Sequence, residues 1–248
     1  MPRLPRLLAV LAVVCASVAA HAAAPPLKTS PPGVYRMVLG DFEVTALSDG
    51  TVELPFLQIL QKITKARAES MLARQFLKDP VQTSVNAFLI NTGDKLVLID
   101  TGAGTFFGPT LGRMVTALKA AGYQPEQVDE IYISHMHGDH IGGLLADGKA
   151  AFPNAVVRAE KAEGEFWLSQ ARMNAAPKDN QDSFRGAMAA VDPYAATNRF
   201  KPYEGDTVLV PGIRAVVTRG HTPGHAMYVI ESKGEKLVLW GDLMHQAA

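Results

Sequence analysis

Four metal-competent side chains fall within six residues of this chain, His135-Met136-His137-Gly138-Asp139-His140. His135 and His137 sit two apart on an extended segment and so project together. Gly138 bends the backbone, and the turn returns Asp139 and His140 toward them. Imidazole nitrogen and carboxylate oxygen suit zinc, iron, manganese or cobalt far better than calcium or magnesium. The chain has 7 histidines. His21 lies in an N-terminal leader; His135, His137, His140, His221, His225 and His245 form three clusters, each after a strand-like run. In Arg219-Gly220-His221-Thr222-Pro223-Gly224-His225, Gly220 is expected to permit close backbone approach and Pro223-Gly224 to make a tight turn. Gly241-Asp242 could place a carboxylate between two ions. Asp100, closing Val97-Leu98-Ile99, reads equally as a brace for the histidine loop or as a helix cap.

Two divalent ions about 3.5–4 Å apart can share a water and lower its pKa toward about 7. Two carboxylates beside that water would leave the site a net positive charge. Such a site favours neutral esters whose transition state gains negative charge. No serine nucleophile elbow or phosphate-cradling loop competes with this chemistry.

The elements around these residues read as α/β (α+β). Residues 35–39 and 42–47 form a hairpin about Gly40-Asp41, and Ser48-Asp49-Gly50 ends its second strand. Thr64 caps a helix to about Lys78 with Met71, Leu72, Phe76 and Leu77 as its buried stripe. Strands at 84–90 and 95–100 lead to a helix from Thr110 to Ala121, stopped by Gly122. A strand at 131–134 delivers the histidine loop. Another strand at 155–158 and a helix at 160–169 follow, then an inserted helical or looped segment at 170–200. Strands resume at 213–218, 226–231 and 236–240, the last two joined by a turn at 232–235.

With 248 residues, 48% of them apolar, the chain can bury one substantial core. Lys+Arg and Asp+Glu are equal at 24, and the absence of a basic stripe argues against nucleic acid as a partner. Residues 1–24 read as a secretory signal peptide: Arg3 and Arg6, an apolar run from Leu7 to Val14, and Ala20-His21-Ala22. The apolar run falls short of the ~20 residues that span a bilayer. The expectation is export, to a periplasm, without a stable membrane anchor, with residues 25–248 as one domain. Cys15 is the single cysteine and lies in the leader, so the exported chain would have no thiolate ligand or disulfide.

The set His135-Met136-His137-Gly138-Asp139-His140, Leu98-Ile99-Asp100-Thr101-Gly102, Gly220-His221-Thr222-Pro223-Gly224-His225 and Gly241-Asp242 resembles the metallo-β-lactamase-fold hydrolase superfamily. Tyr35–Glu43, Phe107–Arg113, Ala121–Glu130 and Phe166–Gln170 resemble, more narrowly, its methyl parathion hydrolase branch. The resemblance implies an αββα sandwich with two divalent ions, zinc foremost and manganese, cobalt or iron as substitutes. His135, His137 and His221 would hold the first ion, Asp139 and His140 part of the second, and Asp242 would bridge. His225 and Asp100 would support these ligands from behind. Phe107, Trp167 and Phe184 match positions lining a leaving-group pocket. Phe166 and Trp167 point about 100° apart on a helix, so one is expected in the core and the other at the pocket.

Members of the family continue beyond Gly-Asp with further strands, helices and a last histidine, whereas this chain stops six residues after Asp242. The expectation is a C-terminally truncated relative whose second ion is weakly held, with His245 pointing elsewhere. The implied activity is hydrolysis of neutral small-molecule esters, organophosphate triesters and aryl esters in particular, with lactones (acyl-homoserine lactones) or β-lactams as the alternative. An iron-dependent oxidoreductase of the same fold, or an inactive metal-binding chain, are the readings from other classes. A homodimer is compatible with all of them.

Overall fold

A short run in which every residue is apolar must be covered on both faces, and Leu96–Ile99 is buried throughout. In the computed structural model, which describes residue 27 and residues 30–245, that run is an interior strand. The leader expected at residues 1–24, with Cys15 and His21, lies outside the described residues. The strands are β1 (Val34–Leu39), β2 (Phe42–Leu54), β3 (Val81–Asn91), β4 (Leu96–Ile99), β5 (Glu130–Tyr132), β6 (Leu145–Ala146), β7 (Lys149–Ala150), β8 (Val156–Arg158), β9 (Thr207–Val210), β10 (Ile213–Val217), β11 (Ala226–Ser232) and β12 (Glu235–Leu239). The α-helices are α1 (Phe56–Ile59), α2 (Lys65–Arg74), α3 (Met114–Ala120), α4 (Gly138–Ile141), α5 (Lys161–Trp167), α6 (Gln170–Ala175) and α7 (Lys178–Ala195).

Six strands form one sheet in the order β1-β2-β3-β4-β5-β8, and four form another in the order β12-β11-β10-β9. Alternation along the first sheet divides its side chains between two cores. Leu89, Leu98 and Ile131 face Met114 and Leu118 of α3 and Ala187 and Val191 of α7. Ile90, Val97, Ile99 and Tyr132 face Ile213, Ala215, Tyr228 and Ile230 of the second sheet. The layers are therefore helix, sheet, sheet, the α–β–β part of the expected sandwich. No helix among the described residues is long and apolar enough to cross a membrane.

This layering puts the chemistry on one edge. Strands β4 and β5 are parallel, so Asp100 and the histidine loop leave the sheet at the same end. The β10–β11 turn and the end of β12 reach that edge from the other sheet. Beneath it the Tyr228 hydroxyl donates to the Ile133 carbonyl at 2.7 Å and the Ala226 amide to Ser134 at 2.9 Å, tying the sheets together.

Several boundaries differ from expectation. Strand β2 does not end at Ser48-Asp49-Gly50 but passes through a register shift there. Asp49 at the shift accepts from the amides of Ala103, Gly112 and Met114 at 2.9, 3.0 and 2.8 Å. Those amides are held by the carboxylate, so α3 starts at Met114 rather than Thr110. Helix α2, capped by Thr64, ends at Arg74. Phe76 beyond it has φ 58° and is 98% exposed, and the buried face is Ala68 and Leu72. Strand β9 was not anticipated. The segment at 170–200 holds α6 and α7.

Candidate metal centre

The β5 strand ends at Tyr132, and the stretch through Ile133 and Ser134 then presents His135 and His137 before the single turn of α4. That turn can press against the 101–104 loop because Gly142 and Gly143 lack side chains. A Cβ there would lie 2.0 Å from the Ala103 carbonyl and 1.9 Å from that of Thr101.

His135, His137, His221 and Asp242 form one donor group; Asp139, His140 and Asp242 form a second, the donors of each lying within 4.8 Å of one another. In the first, His137 Nδ1 is 3.0 Å from His135 Nε2 and 3.1 Å from His221 Nε2. Asp242 faces both groups. Its Oδ2 is 3.4 Å from His221 Nε2 and 3.7 Å from His135 Nε2, while its Oδ1 is 3.2 Å from His140 Nε2. Asp139 reaches the same His140 nitrogen at 3.5 Å. His245 does not point elsewhere: its Nε2 lies 2.9 Å from Asp242 Oδ2.

Each donor is oriented from behind. Asp100 accepts from the Ser134 amide at 2.8 Å and hydroxyl at 2.7 Å, and from His140 Nδ1 at 2.9 Å. It therefore both braces the loop and turns His140 Nε2 toward the site. His225 Nε2 accepts from the Asp242 amide at 3.0 Å, and its Nδ1 meets the Thr218 hydroxyl at 2.8 Å. His225 thus positions Asp242. Gly220 has open space around it, and its need for glycine lies in φ 149° rather than in close approach. Close approach belongs to Gly224, where a Cβ would sit 2.6 Å from the Glu163 amide.

Glu163 was not anticipated. Fully buried on α5, it accepts from Met136 N at 2.9 Å and Gly224 N at 2.7 Å, so one carboxylate spans both histidine loops. The available signal was its position four residues before Trp167. A carboxylate on the apolar face of a helix must find donors.

Protonation divides the two groups. Burial first, then neighbouring imidazoles, hold His135 well below its ordinary value, and the same causes lower His137 to about 4. Burial also lowers His221 and His225. For His140 burial is outweighed by Asp139 and Asp100, and the imidazole is raised well above 6.5. Burial would raise Asp242, but hydrogen bonds from His140 and His245 hold it well below the carboxylate range.

The donors fit a cation. Tetrahedral nitrogen ligands at Zn–N ≈ 2.0–2.1 Å stand roughly 3.3 Å apart, close to the nitrogen separations of the first group. Three neutral lone pairs converging at such distances repel one another unless a positive charge lies between them. The second group has one nitrogen and two carboxylates, a donor set that hard or borderline divalent ions accept.

A cavity of about 520 Å³ opens beside His137, lined by Phe166, Trp167, Arg172, Asn180 and Phe184 among others. Trp167 stands edge-on to His137 at 5.4 Å and packs on Phe184 at 4.8 Å. Both Phe166 and Trp167 line it, so the expected division between core and pocket does not hold. Phe107 does not line this cavity; it lies over Gly138, half exposed. A second cavity, about 450 Å³, opens beside Asp139, His140 and Asp242 between β3 and β12.

A model of the metallo-beta-lactamase superfamily matches residues 81–248, more than half of the chain. An N-acyl homoserine lactonase of Bacillus cereus is 31% identical over 171 residues, 61% of this chain and 60% of its own length. An atrochrysone carboxyl ACP thioesterase of Passalora fulva is 27% identical, over 82% of this chain and 51% of its own. The chain thus spans about 60% of the length of the lactonases it matches. The crystal structure of AbOPH, a hydrolase in the beta lactamase superfamily, superposes with TM-score 0.80 at 40% identity, covering 88% of this chain and 76% of that one. AidC, a dizinc quorum-quenching lactonase in complex with a product, superposes with TM-score 0.76 at 28% identity, covering 84% and 73%.

Proposed function

The chain belongs to the metallo-beta-lactamase superfamily, and from that premise we propose that it is a dinuclear metallohydrolase of small-molecule esters. One observation carries the reading: the two oxygens of Asp242 face different donor groups, Oδ1 toward His140 and Oδ2 toward His135 and His221. Two divalent ions there, zinc foremost, would supply an ionised water nucleophile and Lewis-acid stabilisation of the developing oxyanion.

The chain's own residues do the rest. His135, His137 and His221 offer neutral nitrogens, and Asp242 sets the separation of the two groups. Asp100 fixes His140, and His225 fixes Asp242. The wall of Phe166, Trp167 and Phe184 beside His137 would hold an aryl leaving group against the site and keep water from it. Aryl esters, organophosphate triesters among them, are the substrate class this wall supports. Lactones are the second reading, supported by the names of the Bacillus cereus relative and of AidC. We take residues 1–24 as an export leader.

The test compares a p-nitrophenyl phosphotriester with an N-acyl homoserine lactone on the metal-loaded chain. A higher kcat/KM on the aryl substrate is expected; lactone preference would move the assignment to the second reading. Binding of iron alone with oxygen consumption would overturn both.

A further inference from the structure

The aromatic cavity also has polar lining, open to solvent. Arg172, Asn180 and Ser183 line it, and among the described residues none of their side-chain nitrogens or oxygens has a hydrogen-bond or ion-pair partner. Nearby Arg185, by contrast, is engaged by Asp182 and Gln181. The Arg172 guanidinium rests 5.3 Å from the Phe166 ring centroid. That contact restrains the side chain along the cavity wall while leaving its N–H fork free. Successive contacts run from His137 to Trp167 at 5.4 Å, from Trp167 to Phe166 at 5.0 Å and from Phe166 to the Arg172 guanidinium, with Asn180 and Ser183 in the same lining.

We propose that Arg172, with Asn180 and Ser183, recognises a carboxylate on the aryl part of the substrate, so that the preferred esters are those of hydroxyaryl carboxylic acids. This rests on the ester-hydrolase reading above and names its substrate class. The ring lies on the Phe166–Trp167–Phe184 wall, its ester end at His137 and its carboxylate in the Arg172 fork. Water adds to the acyl centre and the bond to the phenolic oxygen breaks. The phenolate takes up a proton to leave as the hydroxyaryl carboxylate, and the acid is the other product. A guanidinium matches a carboxylate with two parallel hydrogen bonds. At a solvent-accessible rim such a pair discriminates by about 2- to 5-fold rather than by orders of magnitude.

The experiment uses the full metal-loaded chain with two acetate esters of similar leaving groups, 4-acetoxybenzoate and phenyl acetate. The expected result is a higher kcat/KM on 4-acetoxybenzoate, reduced about 2- to 5-fold by Arg172→Gln, with phenyl acetate changed by less than that. Arg172→Lys, which keeps the charge but not the fork, should fall between. A binding arm needs no turnover: 4-hydroxybenzoate should quench tryptophan fluorescence saturably, and Arg172→Gln should weaken its Kd by a similar factor. Equal use of both esters by the parent chain, or 4-hydroxybenzoate binding that ignores Arg172→Gln, overturns the proposal while leaving the hydrolase reading intact. Arg172-dependent binding with no turnover of either ester keeps the carboxylate site but overturns the assignment of these carboxylate esters as substrates, while turnover of the phosphotriester or the lactone decides the hydrolase reading separately.

Discussion

The two donor groups share Asp242 yet are built on opposite electrostatic plans. The first collects three imidazoles whose burial strips them of protons. The second surrounds one imidazole with Asp139, Asp100 and Asp242, and that surplus of negative charge keeps a proton on His140. The first group favours neutral imidazoles with free lone pairs, whereas the second favours a protonated one. Their surroundings differ too, since the first adjoins the aromatic cavity and the second the space between β3 and β12.

The largest effect should come from the residue that joins the groups. Asp242→Asn is expected to lower ion stoichiometry below two and to reduce hydrolysis by more than the roughly 10–100-fold typical of a supporting residue. Metal analysis beside steady-state kinetics would read both, and two retained ions would break the comparison.

Next, Asp100→Asn should separate the groups. It removes the charge that orients His140, so affinity for the second ion should fall about 10–100-fold with the first ion little changed. Competition with a chelator would resolve the two constants.

Glu163→Gln acts on the other side. Gln keeps one acceptor oxygen, so either the Met136 or the Gly224 amide loses its partner, a destabilisation of about 1–3 kcal/mol. Thermal melts should show this, with first-ion affinity weakened more than second-ion affinity. The reverse order would contradict the strut role.

The smallest effect is the pH dependence of the metal-free chain. His137, at about 4 when folded against 6.5 unfolded, binds fewer protons in the native state across that window. Stability should therefore fall as pH drops from 6.5 toward 4, with His135 and His221 adding to the slope. His140 works oppositely: its contribution is full below 6.5 and lost as pH rises through its raised folded value. Denaturant midpoints for His137→Asn should flatten the acid limb, and those for His140→Asn the alkaline limb.

How much of this was legible depends on whether position or packing sets the role. The donors at 135–140 are neighbours in the chain, and an extended segment followed by a turn already dictates their convergence. The interior place of β4 follows from its unbroken apolar run. Supports from distant elements were harder to read. Glu163 reaches the loops across the helix layer, and Asp49, read as a turn residue, proved to anchor three amides of the 103–114 segment. The apolar spacing puts Phe76 on a helical stripe, but the helix ends before it and the residue points to solvent. Phe107 was grouped with Trp167 and Phe184, whereas the fold sets it over Gly138. Pro223-Gly224 makes the expected turn, but close approach falls to Gly224 rather than Gly220, because only the packed structure shows which one Glu163 approaches.

The central claim is that one carboxylate is shared by two ions, and X-ray absorption on the zinc-loaded chain addresses it directly. The account predicts a metal–metal vector at about 3.5–4 Å that disappears in Asp242→Asn. A fully loaded chain with nitrogen and oxygen shells but no metal–metal vector would contradict it.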